Sequence, residues 1–263
     1  MSPLDRKLLR DLWRIKGQAA AIGAVIAVGV LLLVMMTGLV SSLEETRRAY
    51  YERYRLADVF APVTRAPQGV IGDLAAISGV AAAEGRVAGY ALIDLEGVDL
   101  PVRARIVSLP DFEAPVLNDI VLTAGRRLDA TTPDEILLLE GFADARGIRP
   151  GQSLRLTIRG AQRTSQVVGL AQSPEFLYVA APGEIVPDDA RYAVIWMSHA
   201  TAEAAYDMKG AFNEALLSLE RDASEPAVLA AADRALEPYG GLKAYGREDH
   251  LVNGGAKVGH SAA

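Results

Sequence analysis

The sequence AAAIGAVIAVGVLLLVMMTGLV, residues 19–40, carries no charged side chain over 22 positions and decides the architecture of this 263-residue chain. As an α-helix it would span about 33 Å, against roughly 30 Å for the hydrocarbon core of a bilayer. The apolar core of a secretory signal is only about 7–15 residues long. The pattern therefore predicts a transmembrane helix over 19–40. A cleaved signal and a buried helix of a soluble protein are the alternatives.

The residues before this run, 1–18, predict a cytoplasmic amphipathic helix. Leucine and isoleucine side chains share one helical face there, and five Lys or Arg residues precede the span. An indole ring and cationic groups suit the headgroup region of a bilayer. Trp13, Arg14 and Lys16 are accordingly the predicted membrane-interface residues, in contact with membrane lipid. The alternative is a solvated helix that merely precedes the span.

Small residues recur along one side of the apolar run at spacings of three and four: Ala20, Gly23, Ala24 and Ala27. Such a strip lets a second helix backbone approach closely in lipid. It predicts helix packing against another subunit, although glycine and alanine are common in any membrane helix.

Charge divides the chain into two parts. Residues 1–40 hold five basic and two acidic side chains, whereas the remaining 223 residues hold 22 basic and 31 acidic ones. Such an asymmetry indicates different surroundings. It indicates that residues 1–40 are directed to a membrane. Because a long following domain crosses a membrane largely regardless of nearby charges, a cytoplasmic amino terminus and a periplasmic or extracellular main domain are favoured. The positive-inside rule adds only a small margin, because four Arg residues closely follow the span. An acidic chain with a pI near 5.2 is not expected to bind nucleic acid.

Beyond the span, the pattern predicts a helical stalk over 41–56 and a core domain over 57–250. Residues 57–107 and 191–246 alternate between strand and helix patterns, whereas glycine and proline break 108–190 into short strands. The predicted fold class is α+β, with one amino-terminal transmembrane helix followed by a two-lobed extracytoplasmic domain. One lobe is a split βαβ-type α+β unit, and the other is a small, mostly β insert over 108–190. Residues 251–263 form an atypical, flexible tail rich in glycine and alanine.

The sequence carries no recognisable catalytic motif. It lacks GxxxxGK[ST], GxSxG and HExxH, and it contains no cysteine that could serve as nucleophile, disulfide or metal ligand. His199 follows Ser198 at a predicted helix start, which is capping chemistry. Glu175 is free to pair with a basic group or a partner, and His250 is predicted to end an exposed segment. We predict no catalytic, cofactor-binding or metal-binding residue; a membrane-anchored hydrolase that uses His199 or Glu175 is the weakest alternative.

A set of short motifs in the core domain resembles a known family. These are the strand sequence DVFAPVTRAP at 58–67, the segment 134–139, and the residues Gly125, Arg126, Phe142, Ala143, Ile148, Pro150, Gly151, Val168 and Gly169. With the span and the stalk they resemble, over about residues 1–250, the FtsX-like, MacB-type permeases of ABC transporters. The likeness is to the amino-terminal span and periplasmic core domain of that family.

The resemblance implies a non-catalytic membrane subunit that pairs with a second permease subunit and with an ABC ATPase, which binds the ATP. It implies export or extraction of lipid, lipoprotein or peptide-like substrates, with a periplasmic adaptor or lipoprotein as a further partner. Family members carry three or more later spans, which the tail LVNGGAKVGHSAA does not supply, so the resemblance implies a truncated chain. The alternative function is a single-span envelope protein whose outer domain binds a protein or lipid partner.

Overall fold

The computed structural model describes residues 16–95, 97–98, 101–176 and 189–252, and the chain divides into two units at Tyr51. Helix α1, Lys16–Arg53, contains the apolar stretch Ala20–Leu39, whose mean hydropathy is 2.6 and of which none is buried. By length and composition this stretch is able to cross a membrane. The predicted interface residues Trp13 and Arg14 lie outside the described residues, and of Lys16 only the backbone, as the first residue of α1, is described.

Two βαβ units that are far apart in sequence form one four-stranded sheet. The first unit consists of β1 (Val59–Pro67), α2 (Val70–Ala75) and β2 (Val80–Arg86). The second consists of β10 (Ala211–Leu219), α5 (Glu225–Leu236) and β11 (Tyr245–Gly246). The strand order is β11-β1-β10-β2 and the neighbours are antiparallel. This is the order of a ferredoxin-like βαββαβ sheet.

The amphipathic spacing of α5 explains how that sheet is covered. Val228, Ala232 and Leu236 follow one another at intervals of four residues, and all three are buried in the same apolar cluster as β1 and β10. The residue Pro226 lies in the first turn, where its missing N–H removes no helical bond.

The chain between β2 and β10 forms a second sheet that closes into a barrel. Its strands are β3 (Ala88–Asp94), β4 (Val102–Leu109), β5 (Val121–Gly125), β6 (Glu135–Leu139), β7 (Ser153–Ile158), β8 (Ala161–Gln172) and β9 (Tyr192–Ser198). They are ordered β5-β8-β6-β9-β4-β3-β7, and β7 also pairs with β8. Six strands therefore form a ring, with β5 attached to β8 outside it.

The composition of β9 explains why it lies between two other strands of the ring, β6 and β4. All seven residues of its sequence YAVIWMS are buried, which suits a strand flanked on both sides. It pairs in parallel with β4 and antiparallel with β6. Two short helices complete this part of the chain, α3 (Glu140–Arg146) and α4 (His199–Tyr206). The carboxyl-terminal helix α6, Arg247–Val252, follows β11.

The mixed α and β class is as predicted, but the sheets divide the chain at other residues than expected. The β insert runs from β3 to β9 instead of over 108–190, because β4 pairs with β9 from Arg103↔Tyr192 to Leu109↔Ser198. β3 is bound to β4 and β7 as well. Helix α1 ends at Arg53, before the predicted end of the stalk at 56, where Arg55 takes a positive φ of 50°.

Candidate functional site

Of the residues that carry the family resemblance, 58–67 lie at β1 of the four-stranded sheet, and the others lie in the part of the chain that forms the barrel. Gly125 pairs with Gly169 across β5 and β8, and its φ of 76° favours glycine. A Cβ at Gly125 would lie 2.3 Å from the carbonyl oxygen of Val168, so the two backbones approach closely because both residues lack a side chain. Phe142 and Ala143 are fully buried in α3.

Arg126 binds Glu135, the first residue of β6. Its Nη1 donates to Oε2 at 2.8 Å, and Nη2 binds Oε1 as well. The Arg126 hydrogen bonds hold the pKa of Glu135 below its usual range, although partial burial opposes them. The contacts of Gly125, Arg126 and Phe142 described above are thus contacts within the fold.

A buried cluster of charged side chains lies where the four-stranded sheet meets the barrel. We call it the junction cluster, and it consists of Arg86, Arg105, Glu175 and Glu214. The Arg86 guanidinium donates to both oxygens of Glu175, at 2.7 and 2.5 Å, and its Nε donates to Glu214 at 2.6 Å. Arg105 donates to the other Glu214 oxygen at 3.1 Å. Two positive and two negative charges thus compensate one another away from water.

The junction cluster joins four elements of the two sheets. Arg86 ends β2 and Glu214 lies in β10, both in the four-stranded sheet. Arg105 lies in β4 of the barrel, and Glu175 lies in the short 3-10 turn Pro174–Phe176 after β8. The Arg86–Glu214 pair lies across the β2–β10 ladder. The pairs Arg86–Glu175 and Arg105–Glu214 connect that ladder to the turn after β8 and to β4 of the barrel.

Polar and aromatic neighbours complete this cluster. The Asn118 amide donates to Glu175 at 2.7 Å and accepts the backbone N–H of Ala57 at 2.7 Å. His250 approaches Glu175 at 3.4 Å through Nε2 and stacks on Phe60 with a centroid separation of 3.9 Å. The prediction that His250 ends an exposed segment is wrong, because α6 turns this ring into the interior, where it is 4% exposed.

Ion pairing decides the protonation of the buried carboxyl groups. Burial alone would raise the pKa of Glu175, but the charge of Arg86 and hydrogen bonds from Arg86 and His250 lower it well below its usual range. Glu214 likewise has a lowered pKa, because Arg86 and Arg105 outweigh the effect of burial. Both groups are therefore carboxylates at neutral pH, and neither is poised to transfer a proton.

The segments at the two ends of the described domain lie at the same edge of the four-stranded sheet. Arg247, the first residue of α6, donates to the carbonyl oxygens of Leu56 and Ala57 and pairs with Asp58 at 2.6 Å. β11 pairs directly with the start of β1, Val59↔Gly246. The segments 51–58 and 245–252 thus lie side by side.

Ser198 and His199 lie at the start of α4, where the sequence predicts a helix start. Ser198 caps α4 by accepting the N–H of Thr201 at 3.2 Å. His199 lies between the hydroxyl of Ser108, at 3.1 Å, and the carboxylate of Glu203, at 3.2 Å. The Ser108 hydroxyl is buried and also accepts the N–H of Val87 at 2.9 Å.

Within the described ranges, no group of three or more His, Asp or Glu side chains could hold a metal ion. The four small residues predicted to pack against another helix are exposed on α1, and a Cβ built at Gly23 meets no other atom within 4 Å. Whether a partner covers them stays a prediction.

The sequence did not indicate Arg86, Arg105 or Glu214 as a group. Glu214 is the clearest case, because no other side chain of its strand AFNEALLSL is charged. A charged residue inside such a strand is a signal for a buried ion pair. Glu175, which was expected to pair with a basic group or a partner, pairs with Arg86.

No protein-family model matches the chain, and no curated protein matches its sequence. Among solved structures, the extracellular domain of the noncanonic ABC-type transporter YknZ from Gram-positive bacteria is similar, with a TM-score of 0.44 and 9% identity over 69% of this chain and 92% of that one. The periplasmic region of MacB from Actinobacillus actinomycetemcomitans gives a TM-score of 0.45 and 8% identity over 75% of this chain and 92% of the other.

A domain of a protein described as a permease from Porphyromonas gingivalis gives a TM-score of 0.40 and 16% identity, over 71% of this chain and 84% of that one. Two of these structures are thus an extracellular domain and a periplasmic region, and the third is a domain of a permease.

Proposed function

We propose that the chain is a permease subunit of an ABC transporter, in which ATP hydrolysis by a separate ATPase moves an extracytoplasmic domain. The observation that carries the proposal is the combination, in one chain, of a charge-free apolar helix with a domain whose first and last segments adjoin. If the neighbouring segments are attached to the domain at this single edge, a force that they exert moves the domain as a rigid unit. The sequence motifs of the barrel add the resemblance to MacB-type permeases.

The proposed domain has two lobes, which are the four-stranded sheet and the barrel. Each has its own apolar cluster, and the junction cluster connects them. Buried ion pairs suit such a junction, because they stabilise the one arrangement of the two lobes in which the charges meet, and they are lost in other arrangements. The lobes would thus respond together to movement at the edge formed by Arg247 and Asp58.

The proposed location is the inner membrane, with the amino terminus inside and residues 51–252 outside. Residues 19–40 would cross the bilayer, and Trp13, Arg14 and Lys16 would meet its lipid headgroups. The strip of Ala20, Gly23, Ala24 and Ala27 would pack against a second permease subunit. ATP would be bound by the ATPase partner, and the exported or extracted material would be lipid, lipoprotein or peptide-like, delivered with a periplasmic adaptor or lipoprotein.

The absence of cysteine makes the proposed topology directly testable. Single cysteines at Ser2 and at the exposed Gln162 are introduced into the full chain and probed in intact cells with a membrane-impermeant maleimide. We expect labelling at position 162 only, and labelling at position 2 only after lysis. A chain released from membranes by alkaline carbonate, or labelled at position 2 in intact cells, would contradict the proposed topology.

The ATPase partner is tested by cross-linking in the native membrane, followed by identification of the linked protein and measurement of ATP hydrolysis in the purified complex. We expect a P-loop ATPase whose turnover changes when the junction is broken by Arg86→Leu. If the domain lies outside but no ATP-binding protein is linked to it, the single-span binding protein becomes the better account.

A further inference from the structure

The loop between β4 and β5 presents an aromatic ring to solvent. Its sequence is PDFEAPV, residues 110–116, and Phe112 at its tip is 84% exposed. Val116 is 48% exposed, and no other described large apolar side chain after residue 51 is as exposed as Phe112. Burial of a phenylalanine ring is worth about 1.5–3 kcal/mol, so its presentation to water is a cost to a protein that never covers it.

Hydrogen bonds hold both ends of this loop in place. The Asp111 carboxylate accepts the N–H of Ala200, at the start of α4, with both oxygens at 3.2 Å. Arg55 donates to the carbonyl oxygen of Pro115 at 2.8 Å, and the N–H of Leu117 donates to Glu84 at 2.7 Å. The exposed ring is thus carried on an anchored turn, as a preorganised contact.

Two clefts flank this loop and share residues 110–114 as a common wall. One has a volume of about 330 Å³ and is lined by Leu128 and Ile120, and the other has about 440 Å³ and is lined by Ile71 and Val116. A ridge that carries an aromatic ring between two clefts is able to insert between the side chains of a partner while the clefts receive them.

The charges around the ridge select the partner. Asp111, Glu113 and Glu84 place three carboxyl groups along it. Arg86 and His199, which also line the second cleft, are bound to carboxylates themselves, and Arg127 stands at the first cleft. An anionic lipid surface would be repelled by this rim. A second copy placed face to face by twofold symmetry would set the same carboxylates against one another.

We propose that the loop of residues 110–116, with its two clefts, is a docking surface for a protein segment that carries apolar side chains flanked by lysine or arginine. Phe112 supplies the central apolar contact and the carboxylates of the rim attract the basic flanks. This surface goes beyond the proposed transport function, since it binds its partner whether or not an ATPase acts on the chain.

The test uses the full chain in detergent and a phage-displayed library of random dodecapeptides. We expect selection of peptides with aromatic or aliphatic residues beside lysine or arginine. Binding of a selected, fluorescently labelled peptide is then measured by anisotropy for the wild type, Phe112→Ser, Glu113→Lys and the control Leu242→Ser. Leu242 is 50% exposed and lines neither cleft.

We expect Phe112→Ser to weaken binding at least about tenfold and Glu113→Lys about threefold, with a smaller salt dependence, while Leu242→Ser changes it less than twofold. Failure to select any peptide, selection of acidic peptides, or equal effects of Phe112→Ser and Leu242→Ser would overturn the proposal. It would also be overturned by Phe112-dependent binding to phosphatidylglycerol vesicles or by Phe112-dependent dimerisation in sedimentation. Circular dichroism of each variant verifies that the fold is kept.

Discussion

The barrel interior and the junction cluster are equally buried but are built from opposite kinds of side chain. The apolar cluster of the barrel includes Trp196, Phe142 and Leu138, each at most 2% exposed. The junction holds Arg86 and Glu214, whose side chains are 6% and 1% exposed. Apolar packing has no preferred direction and tolerates swaps of similar volume, whereas a buried ion pair loses its compensation when one partner leaves. The barrel is therefore fixed by volume and the junction by geometry.

The largest effect is expected from breaking the junction with Arg86→Leu. The change leaves Glu175 and Glu214 buried with only Arg105 of their two arginine partners, and removal of one member of a buried pair costs about 3–5 kcal/mol. Urea unfolding of the full chain in detergent, followed by near-ultraviolet circular dichroism, measures this loss. A loss below about 1 kcal/mol would show that the cluster is hydrated and that the comparison with the barrel fails.

A somewhat smaller loss is expected in the barrel for Leu138→Ala. Leu138 is fully buried in β6, and truncation of a buried leucine costs about 2–5 kcal/mol through lost transfer energy and the cavity left behind. The same unfolding measurement with Leu138→Met separates the two regions, because a swap of similar volume costs under about 1.5 kcal/mol. Arg86→Lys is expected to be more damaging than Leu138→Met, since lysine lacks the two-pronged donor set that Arg86 directs at Glu175.

Acid is expected to weaken the junction and leave the barrel interior unaffected. Glu175 and Glu214 have lowered pKa values in the folded chain, so their stabilisation is complete above the unfolded pKa near 4.3 and is lost as the pH falls below it. Each contributes a slope of up to about 1.4 kcal/mol per pH unit. Burial raises the pKa of Glu84, which opposes this trend.

The measurement is the free energy of unfolding between pH 7 and pH 3 for the wild type and for Glu175→Gln. The variant lacks one of the titrating groups and is expected to show the smaller slope. Identical slopes would mean that the stability lost in acid comes from groups other than Glu175.

The smallest effect is expected at an exposed ion pair. Arg149 and Asp144 pair at 2.8 Å with side chains 65% and 56% exposed, and water screens such a pair. Arg149→Leu is expected to change the unfolding free energy by less than about 0.5 kcal/mol, whereas Arg86→Leu is expected to lower it by about 3–5 kcal/mol. Similar losses at both arginines would remove burial as the cause of the difference.

The sequence predicted what depends on local pattern. The apolar helix, strands β1, β2 and β10, the helix capped by Ser198 and the strand character of 135–139 all follow from spacing and punctuation over a few residues. The two-residue strand β11 was not predicted. The boundary of the β insert could not be predicted from local pattern, because nothing in the sequence VRARIVSL shows that β4 pairs with β9 some ninety residues later. The strand with which β4 pairs depends on how the whole sheet assembles, not on the sequence of β4 alone.

The junction cluster could be predicted only in part for the same reason. Glu175 lies in a short turn between strands, where a carboxyl group is readily recognised in the sequence as a candidate for pairing. Arg86 and Glu214 are 128 positions apart in the chain, so their contact cannot be recognised from the local sequence. His250 was misassigned because the polar sequence REDH resembles a solvated helix start. Its ring is buried by stacking on Phe60, a contact across most of the domain's sequence.

The strand order β11-β1-β10-β2 has a consequence for the synthesis of the chain. β10 lies between β1 and β2, so the two strands made first have no ladder with each other. Their shared partner emerges only at Ala211, after the contiguous barrel strands, and such long-range pairing folds slowly. We expect the barrel to fold first and to shorten the loop that β10 has to close. A nascent chain halted before residue 211 then exposes two unpaired strand edges, and we expect chaperones and proteases to recognise it as unfinished.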